Sequence, residues 1–376
     1  MNYCTQAFEV IPKKIVDKKD INMVTASPKS LKTAPSILII LMGSLGDLIR
    51  GLCLVSHIKK NLIGSRVTWL VEPAWAELVA FHPQIDKMIV FDRSRNIIGV
   101  WDLYKELSRE DFDITIDLQR HFKSGFFSLL SGAKKRIGFN RKNAKELNWI
   151  FNNEHIEHIV DELVLPKWRH YLKFTEYLGL PEPGILDFGF SSLDVESTAP
   201  RMIVEINDPI IAVVIGTSWE TKEWFFQGYY ELVKNILSSG DRQVVLLGDR
   251  SKIEYAAKLS KKVGSHRLIN LVGKTSLLEL MAVLKAAVAG VGPDSGPAHL
   301  AAAVDTPFVT LFGPTSPSRA APYKYEHLVV QSDINCVSCY KKKCPDLNSK
   351  CMRLVSVEAV IKKLTGALAM GSINQG

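Results

Sequence analysis

Short unbroken apolar runs alternate along this chain with stretches in which apolar positions recur every three or four residues. Runs of four to six suit strands buried on both faces, and the second pattern suits amphipathic helices laid over them. In the first half strands are predicted at Ile37–Met42, Val67–Val71, Met88–Phe91, Ile114–Leu118 and Arg136–Phe139. Helices are predicted between them at Asp47–Asn61, Pro73–Phe81, Val100–Arg109 and Ser124–Leu130, and a longer one, about Val164–Tyr177, stops at Gly179-Leu180-Pro181. Residues 181–208 are rich in Pro, Gly, Ser and Asp, carry little periodicity and read as a linker. The pattern then restarts with strands Ile210–Ile215, Val244–Leu247, Leu268–Leu271, Val288–Val291 and Phe308–Phe312. Helices Tyr229–Leu237, Ile253–Val263, Leu277–Ala287 and Pro297–Ala303 separate them, and a last helix spans about Val357–Leu368. Alternating strand and helix predicts βαβ units and parallel sheets. The fold class is therefore α/β, with two similar domains and a ligand cleft between the carboxyl ends of their sheets.

Composition narrows this picture. A chain of 376 residues, 47% hydrophobic and 23% charged, suffices for two domains with sizeable cores. No apolar run approaches the roughly 20 residues that span a bilayer. The first 35 residues hold Lys13, Lys14, Lys18, Lys19, Lys29 and Lys32 without the apolar core of a secretory signal. They read as a poorly ordered basic tail on a cytoplasmic protein. The domain expectation is a tail over 1–35, an N-terminal domain over 36–180, the linker over 181–208, a C-terminal domain over 209–355, and a closing helix and tail over 356–376.

Charge is uneven. Arg120, Lys123, Lys134, Lys135, Arg136, Arg141, Lys142 and Lys145 fall in one stretch with no Asp or Glu, and the net charge of the whole chain is +8. A single-sign block can focus an anionic partner: nucleic acid, anionic lipid or a phosphorylated saccharide. Phe122, Phe126 and Phe127 in the same stretch fall at helical spacing and read as core rather than as a stacking surface for bases, which argues against nucleic acid.

Two strand-to-helix turns carry the candidate chemistry. In residues 290–315 a buried strand ends in Gly292-Pro293-Asp294-Ser295-Gly296 and feeds a helix of small residues. Free backbone N–H groups and the positive end of the helix dipole both favour a phosphate there, and Ser295 stands where a cap would. In residues 37–60, Gly43 and Gly46 bracket the turn into a helix that Asp47 begins. A dinucleotide enzyme would carry G-x-G-x-x-G and an acid after the second strand, for which Glu72 stands in place. The turn offers only Gly43-x-x-Gly46, which leaves that pattern unmet. Asp249, at the end of strand Val244–Leu247, is a candidate for nucleoside hydroxyls by Rossmann-type geometry.

Together these segments resemble glycosyltransferase family 9, the ADP-heptose:lipopolysaccharide heptosyltransferases. The resemblance runs from about Ile37 to the last helix. It rests on SLGD (44–47), GTSWETKEW (216–224), GPDSGPAHLAAA (292–303), LFGPTSP (311–317) and the cysteine-bearing tail. It implies the GT-B fold, two Rossmann-like domains facing a cleft, with acceptor on the N-terminal domain and nucleotide sugar on the C-terminal one. By motif, Asp47 matches the catalytic base and Lys222 the lysine that stabilises the leaving diphosphate. Thr217 and Ser218 match a hydroxyl pair, and Asp294, Ser295, Gly296 and His299 match the segment at the donor phosphates and sugar. Ser44 belongs to the first motif and is expected at the acceptor. The implied acceptor is lipid A bearing anionic sugars and phosphates, which gives Arg120, Lys123, Arg136 and Arg141 the role of holding it, with peripheral association at the inner face of the inner membrane. The implied reaction is transfer of heptose from ADP-heptose with inversion.

No metal and no cofactor are expected. Asp111-Phe112-Asp113 is better explained by the polarity of a strand entry than as a sugar-nucleotide metal motif. Cys336, Cys339, Cys344 and Cys351 lack the spacing of a zinc ribbon or finger, so reduced packing thiols are expected, with a zinc or disulfide staple as the alternative. Lys341-Lys342-Lys343 argues against deep burial of that loop. Two other functions stay open: the same fold with a different nucleotide sugar or acceptor, and a catalytically silent protein that binds glycolipid or nucleotide.

Overall fold

The computed structural model describes residues 34–345 and 348–374, and side chains through residue 371 of the last helix. The basic tail expected over 1–35 lies outside the described residues except for its last two positions.

Strands β1 (Ser36–Ile40), β2 (Arg66–Val71), β3 (Lys87–Val90), β4 (Ile114–Asp117), β5 (Lys135–Gly138) and β6 (Glu154–His155) form one parallel sheet. Its order is β3-β2-β1-β4-β5-β6. Strands β7 (Ile210–Val214), β8 (Gln243–Leu247), β9 (Leu268–Asn270), β10 (Ala289–Pro293), β11 (Phe308–Phe312) and β12 (Val329–Gln331) form the second. Its order, β9-β8-β7-β10-β11-β12 from one edge, repeats the first. Helices α1 (Leu45–Asn61), α2 (Ala76–Phe81), α3 (Asn96–Leu107), α4 (Phe122–Leu130) and α5 (Lys167–Tyr177) accompany the first sheet. Two short helices follow, α6 (Val195–Thr198) and α7 (Arg201–Val204). The second half adds α8 (Phe226–Ser238), α9 (Ile253–Val263), α10 (Leu277–Ala286) and α11 (Gly296–Ala303). Helices α12 (Pro317–Ala320), α13 (Lys350–Arg353) and α14 (Val357–Asn374) complete the chain.

Central strands β1, β7, β10 and β11 are buried along their whole length, as helix layers on both faces require. Leu38, Ile40, Leu70 and Ile89 pack with Leu103 of α3 and Phe127 of α4 on one side of the first sheet. In the second half Ile211, Val213, Val244 and Leu311 share a core with Leu232 of α8 and with Met352, Val360 and Leu364 near the C-terminus. Among the described residues no helix is long and apolar enough to cross a membrane.

Both sheets reverse winding direction at their centre, between β1 and β4 and between β7 and β10. The loops leaving two such neighbours diverge, and a crevice opens at their carboxyl ends. Asp47, Arg120, Lys222 and Asp294 all follow one of these four strand ends.

The segment over 181–208, read from the sequence as a linker, contains the short helices α6 and α7. Asp194 caps α6 by accepting from the Glu196 and Ser197 amides at 3.2 Å each. Phe190 is buried beside Phe81 and His82, and Lys285 donates to the Leu193 carbonyl at 2.6 Å. Helices of four residues carry no readable period, so their anchoring comes from these contacts. Strands β6 and β12 were not foreseen for the same reason: two or three residues show no alternation.

Candidate active site

The chain leaves β1 through Gly43 and Ser44 and turns into α1. Ser44 is the N-cap of α1, its hydroxyl 3.4 Å from the Asp47 amide that donates to it. Asp47 thus sits in the first helical turn, its carboxylate pointing back toward the strand ends. Its Oδ1 accepts from Arg50, one turn further along α1, at 2.7 Å, and from Lys167 at the start of α5. Burial alone would raise the Asp47 carboxyl. The charges and hydrogen bonds of Lys167 and Arg50 outweigh it and hold the group well below the ordinary carboxylate range. Burial, opposed by Asp47 and assisted by Arg50, pushes the Lys167 ammonium down to about 8.

A cavity of about 250 Å³ opens here, lined among others by Ser44, Asp47, Arg120, Lys145, Lys167 and Arg319. Arg120 is the buried anchor of its wall. Its guanidinium lies 4.0 Å from the Phe139 ring centroid, pairs with Glu162 and donates to His170 Nδ1 at 2.9 Å. Burial, and then the Arg120 charge, push His170 down to about 4, so it accepts as a neutral imidazole. Arg319, from the second half of the chain, reaches Glu162 at 3.3 Å. One carboxylate therefore serves two guanidiniums, and the cavity stays cationic.

At the second crevice the chain leaves β7 through Ile215 and Gly216, whose φ of +88° suits glycine. Thr217 and Ser218 follow, and Lys222 closes the loop. The Lys222 ammonium is 2.7 Å from Asp294 Oδ2 and 4.6 Å from the Trp219 ring centroid. Thr315, after β11, donates to the same oxygen at 2.7 Å. Asp294 thereby positions the lysine, a role the sequence did not suggest. Ser295 occupies the N-cap site of α11 but makes no cap hydrogen bond; its hydroxyl donates to the Pro293 carbonyl at 3.1 Å. That corrects the expected cap. Pro297 has no N–H, and the Ala298 amide donates to Ser295. The turn is therefore a poorer amide nest than its glycines implied, and Lys222 supplies the positive charge. Asp249 is exposed at the end of β8, where its Oδ1 accepts from the Ser251 amide at 2.7 Å.

The two halves meet where α1 crosses α11. A Cβ on Gly46 would stand 2.8 Å from the His299 ring, and one on Gly296 would stand 2.6 Å from Leu45, so glycine is what allows the approach. Arg50 bridges the junction: its second terminal nitrogen lies 2.6 Å from His299 Nε2. Arginine can only donate, so Nε2 accepts and the ring proton belongs on Nδ1. Burial, and then Arg50, push His299 well below its ordinary value and keep it neutral. Lys167, Asp47, Arg50 and His299 thus form one chain of contacts across the junction, with Lys222–Asp294 at the near end of the same helix.

Other candidates fall elsewhere. Lys123 lies 4.5 Å from the Phe91 ring centroid and 3.6 Å from Glu72. Arg136, near the amino end of β5, donates to the Phe151 and Ala133 carbonyls at 3.0 and 2.9 Å. Arg141 stacks 4.8 Å from the Trp149 ring centroid. Of the four cations assigned to the acceptor, only Arg120 lines the cavity. The block also gains acids from outside itself, Glu72, Glu146 and Glu162. Phe127 is core and Phe126 half-buried, but Phe122 is 48% exposed, which corrects its reading as core. Asp113 accepts from the Ser36 amide at 3.0 Å, at the end of the sheet opposite the crevice. Cys351, in α13, is buried against Gly313, while Cys336, Cys339 and the Lys341-Lys342-Lys343 run are exposed, as expected of that loop. Burial first, and also the neighbouring thiols Cys336, Cys339 and Cys344, raise the Cys351 thiol. Among the described residues no three His, Cys, Asp or Glu side chains converge as a metal would require. Sequence reasoning missed Arg50, Lys167, Glu162, Arg319 and Thr315. Only Arg50 carried a signal, lying one helical turn from Asp47.

Residues 100–350, about two-thirds of the chain, match the family model for glycosyltransferase family 9 (heptosyltransferase). The chain belongs to that family. It is a glycosyltransferase. The matched span includes Lys222 and His299, whereas Asp47 precedes it. The chain is 29% identical over 305 residues to the lipopolysaccharide core heptosyltransferase OpsX of Haemophilus influenzae, covering 80% of this chain and 84% of that one. It is 29% identical over 321 residues to lipopolysaccharide heptosyltransferase 1 of Pseudomonas aeruginosa, covering 82% and 87%. Among solved structures, a family 9 glycosyltransferase from Veillonella parvula superposes with a TM-score of 0.78 at 20% identity, over 91% of this chain and 99% of that one. The E. coli heptosyltransferase WaaC with ADP gives 0.73 at 22%, over 88% and 99%. The fold of this chain is accordingly GT-B.

Proposed function

We propose that the chain transfers heptose from ADP-heptose to the inner core of lipopolysaccharide, with inversion and without a metal. The observation that carries this reading is the Arg50 bridge, which ties the Asp47 turn of one sheet to the α11 turn beside Lys222 of the other. The names of the two curated relatives supply the sugar and the acceptor class. Both cations on Asp47 bond its Oδ1, which leaves Oδ2 to take the proton from an acceptor hydroxyl. As that proton moves, the acceptor oxygen bonds to the anomeric carbon. The carbon–oxygen bond to the diphosphate breaks on the opposite face, and its electron pair departs on ADP. Lys222, held by Asp294, meets the charge that develops on the leaving phosphate, the task a divalent cation performs in other glycosyltransferases. Ser44, Arg120, Lys145, Lys167 and Arg319 line the acceptor cavity, and its cationic wall suits carboxylate-bearing or phosphorylated sugars. The lipid anchor of such an acceptor places the enzyme at the cytoplasmic face of the inner membrane, with no nucleic-acid partner.

Calorimetric titration with ADP, UDP and GDP, with and without EDTA, tests the donor half of this reading. ADP preference unaffected by EDTA is the expected result. Preference for UDP or GDP would assign another donor to the same machinery, and absence of binding to all three would contradict catalysis.

A further inference from the structure

Beside the cavity mouth, the loop after β5 folds back against the first turn of α4. Asn148 fastens it, donating to the buried Asp117 carboxylate at 2.6 Å and to the His121 carbonyl at 2.9 Å. Glu146 Oε2 accepts from the Phe122 amide at 3.2 Å, and Phe151 meets the Phe122 ring edge-on with centroids 4.9 Å apart. So anchored, the loop holds Glu146 and Leu147 at φ of +49° and +59°, a left-handed pair that neither residue favours. The result is outward projection of apolar side chains: Leu147 is 60% exposed, Ile150 51% and Phe122 48%. The exposed Arg141, Lys142 and Lys145 precede the knob in the same loop, Arg141 stacked on Trp149, and the knob's one acid, Glu146, lies 3.1 Å from His121 Nδ1. Lys145 and His121 also line the cavity, so the knob and the acceptor opening are contiguous.

We propose that this knob docks on an anionic lipid surface. Phe122, Leu147 and Ile150 enter the headgroup–acyl boundary, while Arg141, Lys142 and Lys145 meet lipid phosphates. Apolar side chains ringed by basic ones match the two attractions that hold peripheral proteins at such surfaces. A rigid, strained loop is suited to this, because its apolar residues are presented without an ordering cost at the moment of contact. Continuity with the cavity mouth would bring the acceptor opening to the plane from which a lipid-anchored sugar projects. That last point rests on the acceptor proposed above; the docking itself does not.

The test is co-sedimentation of the full chain with vesicles of phosphatidylcholine alone and of phosphatidylcholine with one-third phosphatidylglycerol. Binding to the anionic vesicles and not to the neutral ones is expected. The double variant Leu147→Glu/Ile150→Glu should lower anionic-vesicle affinity about tenfold or more, while leaving transfer to a water-soluble, deacylated acceptor unchanged. Equal binding to both vesicle types, no binding, or undiminished binding by the double variant would overturn the proposal, the last by placing the contact elsewhere on the chain. Sedimentation needs no donor and no turnover. A wrong sugar assignment would therefore appear in the transfer assay and leave the vesicle result intact.

Discussion

In the proposed reaction Asp47 is the residue on which the chemistry turns. Its carboxylate is held ionised by Lys167 and Arg50, so it is charged throughout the working pH range. Asp47→Asn keeps the shape and removes the base; turnover should fall about 10²–10⁴-fold, with ADP affinity by calorimetry nearly unchanged. Lys222→Ala should weaken ADP binding by about tenfold or more, as expected of a lost charge-assisted hydrogen bond, and lower turnover as well. Lys167 gives the site a pH signature. Its ammonium is pushed down to about 8, so it is charged below that pH and neutral above it. The KM for an anionic acceptor should accordingly rise as pH passes upward through about 8, and Lys167→Arg should flatten that rise because a guanidinium stays protonated. At this scale the sequence was readable where a placement is local. Asp47 and Lys222 each lie within a few residues of their strand end, so their positions at the two crevices followed from the strand-and-turn pattern. Lys167 approaches Asp47 from 120 positions away, and no periodicity in either segment announces the pair.

The deciding contact between elements is the crossing of α1 over α11. Both helices begin just after a central strand, both carry glycine in their first turn, and each glycine receives a side chain of the other helix. Gly296→Ala would set a methyl 2.7 Å from the Leu45 Cβ, an atom close to the backbone that cannot swing aside. Overpacking of this kind should cost about 1–3 kcal/mol in denaturant unfolding. Turnover should fall further than ADP binding does, since the change pushes the Asp47 turn away from the donor side. Ten of the twelve strands were legible as apolar runs because both faces of each sheet are covered. Of the four edge strands, β6 and β12 were not, nor were the short helices α6 and α7. Their placement depends on partners such as Gly138 and Thr310, which accept or donate across the sheet without leaving a pattern in the shorter segment. The glycine turn before α11 was legible as a turn, yet its amides proved less available than the spacing suggested, because proline and a local hydrogen bond consume them.

Over the whole molecule, two sheets of identical winding place their switch points toward one junction, and a small group of cations lines the cavity there. The cavity between Asp47 and Arg319 is walled by cations from both halves. Acceptor affinity should therefore fall as salt rises from 50 to 500 mM on the order of the Debye screening expected over these distances; ionic-strength titration of the acceptor KM would show it, and a flat response would place the acceptor elsewhere. The central claim is that the Asp47 carboxylate, brought to the donor side by the α1–α11 crossing, drives transfer of heptose from ADP-heptose to a lipopolysaccharide-core acceptor. The most direct measurement is mass spectrometry of that acceptor after incubation with ADP-heptose and either the unaltered chain or Asp47→Asn. The account predicts addition of one heptose, with equimolar ADP release, by the unaltered chain in EDTA, and almost none by the variant. Equal product from both proteins, or none from the unaltered chain with ADP-heptose, would contradict it.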